Sequence, residues 1–247
     1  MLVLVPADKF TLQAVARREG GEVRRIEGAG DALLAGAAGC DALWVFAGAP
    51  LDAADVPPAT GIATSLTRLL AGEPRALPRT ALFISAQSAA APALPGAAGD
   101  LVALLRSGVH VAGLSGAGAT PELALQLAGR YPLVHFAVHG YAGESLQLAG
   151  EGGRLPAREI ARARMQPRAR VVLSACEAGA PGPGGVAWAF ARAGAAAIAA
   201  ARDQVDDAAA ARWSDRFYAA LGRGLDFAQA AREAGSGDRA ARYIVVK

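Results

Sequence analysis

LVHFAVHG (Leu133–Gly140) and VVLSACEAG (Val171–Gly179) each consist of a largely apolar run that leads directly into a reactive side chain. Apolar runs without polar alternation indicate strands that are buried on both faces, as in the centre of a parallel sheet. In such sheets functional groups collect just beyond the carboxyl ends of the strands. The two stretches therefore predict that the His139 imidazole and the Cys176 thiol lie at one edge of a parallel sheet.

Similar apolar runs alternate with helical patterns along the chain, which predicts a three-layer α/β fold with right-handed crossovers. The runs predicted to be strands are Leu2–Val5, Ala42–Ala47, Ala81–Ser85, Val109–Ala112, Leu133–Val138, Val171–Ala175, Ala195–Ala200 and Tyr243–Val246. The predicted helices are Phe10–Arg18, Ser65–Ala71, Ala97–Arg106, Thr120–Ala128, Ala157–Ala163, Val186–Arg192 and Ala208–Leu221. A Pro/Gly-rich segment, Gly72–Thr80, separates a smaller N-terminal half (1–78) from a main domain (79–247) that holds all the motifs.

Composition excludes several classes of protein. The chain has 247 residues, with 25 Lys and Arg against 22 Asp and Glu. The resulting net charge of +3 is too small to indicate a protein that binds nucleic acid. Hydrophobic residues make up 53%, which excludes a disordered chain. Cys40 and Cys176 are the only cysteines and form no CxxC, so a reducing cytoplasm is expected. The longest apolar stretch, Ala193–Ala201, is too short to cross a bilayer, and no membrane association is expected.

Cys176 and His139 together suggest nucleophilic chemistry. A free thiol has a pKa of about 8.5, so a cysteine needs a base beside it to react as a thiolate at neutral pH. The N–H groups of Gly140 and Cys176 could form an oxyanion hole. His110, His135 and His139 all precede Cys176. That order excludes families such as the papain-like proteases, in which the cysteine comes first. Taken separately, each residue favours a structural role, as a small core cysteine or a hydrogen-bonded histidine. Together, at paired strand ends with a glycine after His139 and a Gly-rich loop after Cys176, they favour catalysis.

Metal and nucleotide sites are the other possibilities. On an extended strand, His135 and His139 lie about 13 Å apart, too far to share one metal ion. We therefore expect no metal and no other cofactor, and a structural role for His135. Gly113–Gly118 (GLSGAG) follows a strand but lacks the lysine of a phosphate-binding loop and does not fit G-x-G-x-x-G. A nucleotide-binding α/β protein remains a third hypothesis.

The order of these motifs resembles the CHAT domain, a caspase-like group of clan CD cysteine peptidases that includes separase-like enzymes. The matching segments are Leu94–Leu105, Gly116–Thr120, Tyr131–Gly140, Glu144–Gly150, Ala169–Gly179, Val186–Ala200, Val205–Gly224 and Phe227–Ala234. Together they cover roughly Thr80 to the C-terminus, with fainter similarity at Ala63–Leu70. Two features depart from the family pattern. Asp203 occupies the place of the usual tryptophan before Val205-Asp206-Asp207, and the last strand lacks its usual tryptophan.

The resemblance implies a caspase-like fold and a cysteine endopeptidase, with Cys176 as nucleophile and His139 as general base. It also implies a specific partner protein as substrate, a regulated bacterial defence or cell-death pathway, and a non-catalytic N-terminal half. We expect regulation by an activating partner or sensor protein, or by ordering of the loop Gly179–Gly185. The alternative is a catalytically silent interaction module that retains both residues.

The loop before the last long helix carries three acids that are candidates for substrate binding: Asp203, Asp206 and Asp207. In caspase-like folds this region commonly lines the pocket for the side chain before the scissile bond. Carboxylates there favour a cation, so we expect cleavage after Arg or Lys. The alternative is that Asp206 or Asp207 caps the helix that begins near Ala208, and that Asp203 is a solvated loop residue or pairs with Arg202.

Overall fold

The computed structural model describes residues 76–86, 92–180, 184–236 and 242–246, and the backbone of the earlier strands. Those earlier strands are β1 (Leu2–Pro6), β2 (Leu12–Arg17), β3 (Val23–Glu27), β4 (Leu43–Phe46) and β5 (Gly61–Ala63). The strands that follow are β6 (Thr80–Ser85), β7 (His110–Ser115), β8 (Leu133–Ala137), β9 (Gly140–Tyr141), β10 (Ser145–Gln147), β11 (Arg154–Pro156), β12 (Arg170–Ser174), β13 (Ala197–Ala201) and β14 (Tyr243–Val246).

The α-helices of the described residues lie between these later strands. They are α1 (Gly96–Arg106), α2 (Pro121–Ala128), α3 (Ala157–Ile160), α4 (Val186–Arg192), α5 (Asp207–Gly222) and α6 (Phe227–Gly235). A short 3₁₀ turn at Gly116–Gly118 precedes α2. None of the helices in the described part of the chain is long and apolar enough to span a bilayer.

The strands form one sheet in the order β3-β2-β1-β4-β5-β14-β13-β12-β8-β6-β7. Its C-terminal part, from β14 to β7, is a mostly parallel sheet of six strands in which β14 alone runs antiparallel to its neighbour β13. The N-terminal strands extend this sheet because β5 pairs in parallel with β14 at Ile62 and Val246. Strands β11, β10 and β9 form a separate small sheet.

Helices cover both faces of the six-stranded part. One apolar cluster joins alternate strand residues to α2, α3 and α4, with Phe136 packed on Phe190. The second cluster joins the opposite strand faces to α1, α5 and α6, around Trp213 and Phe217. Strands β8, β12 and β13 are buried at every position. This arrangement confirms the predicted three-layer α/β fold with a mostly parallel central sheet.

The predicted helix Phe10–Arg18 is wrong. Leu12–Arg17 is a strand that pairs antiparallel with β1, with Val15 opposite Val3. Most residues of the segment, including Leu12, Ala14 and Ala16, favour a helix by local propensity, but pairing with the adjacent β1 outweighs that preference. Strands β3, β5 and β9 to β11 and helix α6 are absent from the predicted elements. The predicted helix Ser65–Ala71 lies outside the described residues.

Candidate active site

His139 and Cys176 occupy equivalent positions beyond the ends of two neighbouring strands. β8 and β12 pair in parallel, with Ala137 opposite Ser174, and the Val138 N–H donates to the Ser174 carbonyl at 3.3 Å. Each candidate residue follows that last pair by two positions, at the carboxyl end of its strand. Because paired strands lie about 5 Å apart, the two side chains start from adjacent backbone positions.

Gly140 lies directly against the backbone of Cys176. A Cβ atom at Gly140 would be 2.0 Å from the Cys176 carbonyl oxygen and 3.1 Å from its nitrogen. The His139 carbonyl accepts a hydrogen bond from the Gln147 N–H at 2.8 Å, which holds this segment on the small sheet. A glycine is therefore needed after His139 for close approach to Cys176, and any side chain there would separate the two loops.

His139 is half-buried, and its ring is held by a backbone carbonyl. Its Nε2 atom lies 2.9 Å from the carbonyl oxygen of Pro92. Because a carbonyl oxygen only accepts, Nε2 carries the proton, and the lone pair of the neutral imidazole is on Nδ1. Sequence reasoning missed Pro92, since a backbone carbonyl contributes through its position and has no side-chain signature.

Cys176 is a half-buried free thiol at the start of a tight turn. Its Sγ atom lies 3.8 Å from the Val205 carbonyl oxygen. Glu177, the next residue, has a φ of 58°, a left-handed conformation that costs a non-glycine residue about 1 kcal/mol or more. The Glu177 N–H donates to the Asp203 carbonyl at 3.0 Å, and the Gly179 N–H donates to Ala201 at 2.8 Å. These bonds attach the segment after Cys176 to the end of β13 and the loop that follows it.

The three loop acids have different partners. The Asp203 carboxylate lies 2.7 Å from Nη2 of Arg242. Asp206 caps α5, since its Oδ1 accepts from the Ala209 N–H at 3.0 Å. The Asp207 carboxylate accepts from the N–H of Gly96, the first residue of α1. Of these three acids, Asp207 alone lines the cavity beside His139 and Cys176.

That cavity, which we call the dyad cavity after the candidate pair His139 and Cys176 in its lining, has a volume of about 40 Å³. Its lining residues include His139, Cys176, Ser174, Asp207 and Asp100. Asp100 is a buried residue of α1 that sequence reasoning did not single out. The signal that could have found it is one acid within the otherwise apolar pattern of that helix, at a position that faces the sheet.

A buried hydrogen-bond chain leads from the sheet to Asp100. His135 is fully buried, with Nδ1 2.7 Å from the Tyr218 hydroxyl and Nε2 3.3 Å from Oδ2 of Asp100. Burial raises the pKa of Tyr218 well above its ordinary value, and the negative charge of Asp100 raises it further. The hydroxyl therefore keeps its proton and donates to Nδ1, so Nε2–H donates to Asp100. Both ring nitrogens of His135 are engaged in this way.

A second buried tyrosine contacts another residue of the cavity lining. The Tyr243 hydroxyl is 3.2 Å from the hydroxyl of Ser174, which lines the dyad cavity. Burial raises the pKa of Tyr243, and the charge of Asp100 again adds to the effect. Both tyrosines are therefore neutral hydrogen-bonding groups at ordinary pH.

Residues 50–237 match the family model described as the CHAT domain. Among solved structures, the chain is similar to the crystal structure of the Arg-specific cysteine proteinase gingipain R, with 14% identity and a TM-score of 0.59, over 84% of this chain and 63% of that one. It is also similar to the complex of Porphyromonas gingivalis RgpB pro- and mature domains, with 14% identity and a TM-score of 0.57, over 84% and 64%. No curated protein matches.

The chain thus spans less than two thirds of the length of either of these structures. At such low identity the likeness concerns the fold, which is caspase-like. The family match covers more than half of the chain and includes both His139 and Cys176. The chain belongs to the CHAT domain family.

Proposed function

We propose that the protein is a cysteine endopeptidase in which Cys176 is the nucleophile and His139 the general base. The observation that carries the proposal is the placement of both residues two positions beyond the same strand pair, Ala137 and Ser174. The Pro92 carbonyl adds to it, because it leaves Nδ1 of His139 as the basic nitrogen. Membership of a caspase-like peptidase family supports the same reaction class.

In the first step, His139 Nδ1 accepts the thiol proton, and the Cys176 sulfur attacks the carbonyl carbon of the scissile peptide. The carbonyl oxygen becomes an oxyanion, which we assign to the N–H groups of Gly140 and Cys176. The Gln147 N–H donates to the His139 carbonyl, so Gln147 and His139 form a hydrogen-bonded pair at the end of the antiparallel β9–β10 ladder. Because such pairs alternate with non-hydrogen-bonded ones, the next residue, Gly140, directs its N–H away from β10.

In the second step, the His139 imidazolium gives its proton to the leaving amine as the carbon–nitrogen bond breaks, which leaves a thioester on Cys176. Water then attacks the thioester carbon while Nδ1 accepts its proton. The carbon–sulfur bond breaks, the thiolate is reprotonated by the imidazolium, and the new carboxyl end is released. The Nε2–H bond to Pro92 holds the ring in the same orientation throughout both steps.

The proposal extends to a specific partner protein as substrate, in a regulated cytoplasmic pathway of bacterial defence or cell death. Its support is the resemblance of the sequence motifs to the CHAT group. An activating partner or sensor would act on the loop Gly179–Gly185, which follows the nucleophile directly. Residues 181–183 of that loop lie outside the described residues.

The test compares variants of the full chain by the rate at which a peptidyl electrophile labels Cys176. We expect Cys176→Ala to abolish labelling, and His139→Ala to slow it by about 100-fold or more, the usual contribution of a general base. His110→Ala is the matched control, because His110 is an exposed histidine of β7 outside the lining of the dyad cavity. Its labelling rate should equal that of the wild type.

Comparison of protein N-termini in cells with wild-type and Cys176→Ala protein would identify the substrate. Cleavage that persists with Cys176→Ala would contradict the mechanism. Two results together would favour the silent interaction module instead. They are equal labelling of the wild-type and His139→Ala proteins, and no difference in protein N-termini between cells with wild-type and Cys176→Ala protein.

A further inference from the structure

The dyad cavity contains two carboxylates and no arginine or lysine among the described residues that line it. Asp100 and Asp207 both contribute to its wall. The other lining residues are apolar or neutral apart from His139 and Cys176, whose chemistry is already assigned: Leu94, Ala97, Ala137, Val138, Ser174, Val205 and Ala210. Low-dielectric walls around charges of one sign strengthen their field, so the cavity favours a positive group.

Asp100 has one carboxylate oxygen bound and one free. Its residue is 2% exposed, and Oδ2 accepts from His135 Nε2 at 3.3 Å. Oδ1 is buried and has no hydrogen-bond partner within the described part of the chain. An unsatisfied buried carboxylate oxygen is costly, and a cationic group of a substrate would supply the donor that Oδ1 lacks.

The hydrogen-bond chain behind Asp100 fixes this arrangement. Tyr218 donates to His135, and His135 donates to Oδ2, so the chain supplies a donor to one oxygen alone. Within the described residues, Asp100 has no ion-pair partner other than His135. The buried cation Arg170 lies at the opposite end of β12 from Cys176 and donates to the Ala76 carbonyl at 2.9 Å.

The other acids near the site are engaged elsewhere. Asp203 has Arg242 against its carboxylate, and Asp206 caps α5. Neither lines the dyad cavity. The acid expected from the sequence to bind substrate, Asp203, is therefore a weaker candidate for a cation than Asp100.

We infer that the dyad cavity receives the side chain that precedes the scissile bond, and that this side chain is Arg or Lys, bound through Oδ1 of Asp100. The inference rests on the proposed endopeptidase function and names its substrate class. A volume of about 40 Å³ has room for about three water molecules, enough for the charged head of one side chain. Because Cys176 shares the cavity, the residue that fills it carries the carbonyl under attack.

The experiment uses the full chain and peptidyl acyloxymethyl ketones that end in Arg, Lys or Leu, with the mass of the proteolytic peptide that contains Cys176 as the measure of labelling, so that Cys40 does not contribute. In the wild type, the Arg and Lys probes should react at least about 10-fold faster than the Leu probe. Asp100→Asn keeps the shape and an acceptor for His135. It should slow the Arg and Lys probes by about 10- to 100-fold, the usual loss for a charged hydrogen bond, and leave the Leu rate unchanged.

Asp203→Asn is the matched control, since it removes a nearby charge outside the cavity and should alter no rate. A second measurement uses wild-type protein alone: agmatine, a small guanidinium compound, should protect Cys176 from the Leu probe. Equal slowing of all three probes in Asp100→Asn would assign Asp100 to positioning and overturn the inference. A wild-type preference for Leu, or no protection by agmatine, would also overturn it. Failure of every peptidyl probe, with iodoacetamide still alkylating Cys176, would count against the proposed function itself.

Discussion

At the scale of single residues, Gly140 sets the distance between the two candidate catalytic loops. We expect Gly140→Ala to lower the free energy of unfolding by about 1–3 kcal/mol, because its Cβ would overlap the Cys176 carbonyl oxygen. The same displacement should remove the proposed peptidase activity, since His139 moves with Gly140. Urea unfolding and the rate of Cys176 labelling would measure the two effects.

Gly113→Ala is the control for this substitution. Gly113 lies in β7, its φ is not in the left-handed region, and no atom lies within 4 Å of an added Cβ. Its replacement should leave both stability and labelling within experimental error. An active and stable Gly140→Ala protein would show that the loops tolerate separation.

The buried tyrosines make stability fall at alkaline pH. Burial raises the pKa of both Tyr218 and Tyr243 in the folded chain, with the charge of Asp100 as the next cause. An unfolded tyrosine has a pKa of about 10, so above that pH the unfolded chain releases protons that the folded chain retains. The stability contributed by each tyrosine is complete below pH 10. It declines above that pH, by about 1.4 kcal/mol per pH unit for each residue.

Urea unfolding between pH 9 and pH 11 would measure that slope. The double variant Tyr218→Phe with Tyr243→Phe is expected to show a shallower decline, although it is less stable at neutral pH because two buried hydrogen bonds are lost. Identical slopes in the two proteins would mean that neither tyrosine is responsible.

Two of the site residues could be predicted from the sequence, whereas two others are recognisable only from their position in the fold. His139 and Cys176 stand out in the sequence because each follows an apolar run directly, and those two runs pair as the neighbouring strands β8 and β12. Pro92 and Asp100 did not stand out. Pro92 acts through its backbone, and the importance of Asp100 depends on the packing of α1 over β8, which spacing along the chain does not reveal.

At the scale of elements, α1 and α5 pack closely through small residues, and each carries one acid of the dyad cavity. A Cβ at Gly99 would lie 2.7 Å from the Cβ of Ala211. We expect Gly99→Ala to lower the free energy of unfolding by about 1–3 kcal/mol despite the better helix propensity of alanine. Thermal unfolding would measure the change.

Gly222→Ala separates propensity from packing. Gly222 is also helical, at the end of α5, and nothing lies within 4 Å of its added Cβ. We expect that variant to be as stable as the wild type or slightly more stable. If Gly99→Ala behaves in the same way, α1 and α5 can separate without cost and the close packing is unimportant.

Elements of the six-stranded sheet were largely predictable, whereas the N-terminal hairpin and the small sheet were not. Strands buried on both faces give long apolar runs, and α4 was predicted with its observed bounds, Val186–Arg192. In contrast, β2 consists mostly of residues that favour a helix, and its pairing with β1 makes it a strand. Strands β9 to β11 have only two or three residues each, too few to show a period.

At the scale of the whole molecule, β14 joins the N-terminal strands to the six-stranded sheet. It pairs antiparallel with β13 on one side and parallel with β5 on the other, and its four side chains are buried. The strands that carry His139 and Cys176 lie farther along the same sheet. The division expected at residue 78 therefore corresponds to no break in strand order. That the two halves are separate functional units stays a prediction.

Removal of residues 1–72 would leave the outer edge of β14 without a partner. Exposed edges of buried strands pair with other chains, so we expect the shortened protein to be less stable and to self-associate as its concentration rises. Light scattering during size-exclusion chromatography at several concentrations would measure this, with the full chain as control. Cys176 labelling per folded molecule should persist, because β8 and β12 keep both of their neighbours. A shortened chain that stays monomeric with unchanged thermal stability would show that β5 contributes little to the sheet, while loss of labelling in a folded chain would show that the N-terminal strands support the site.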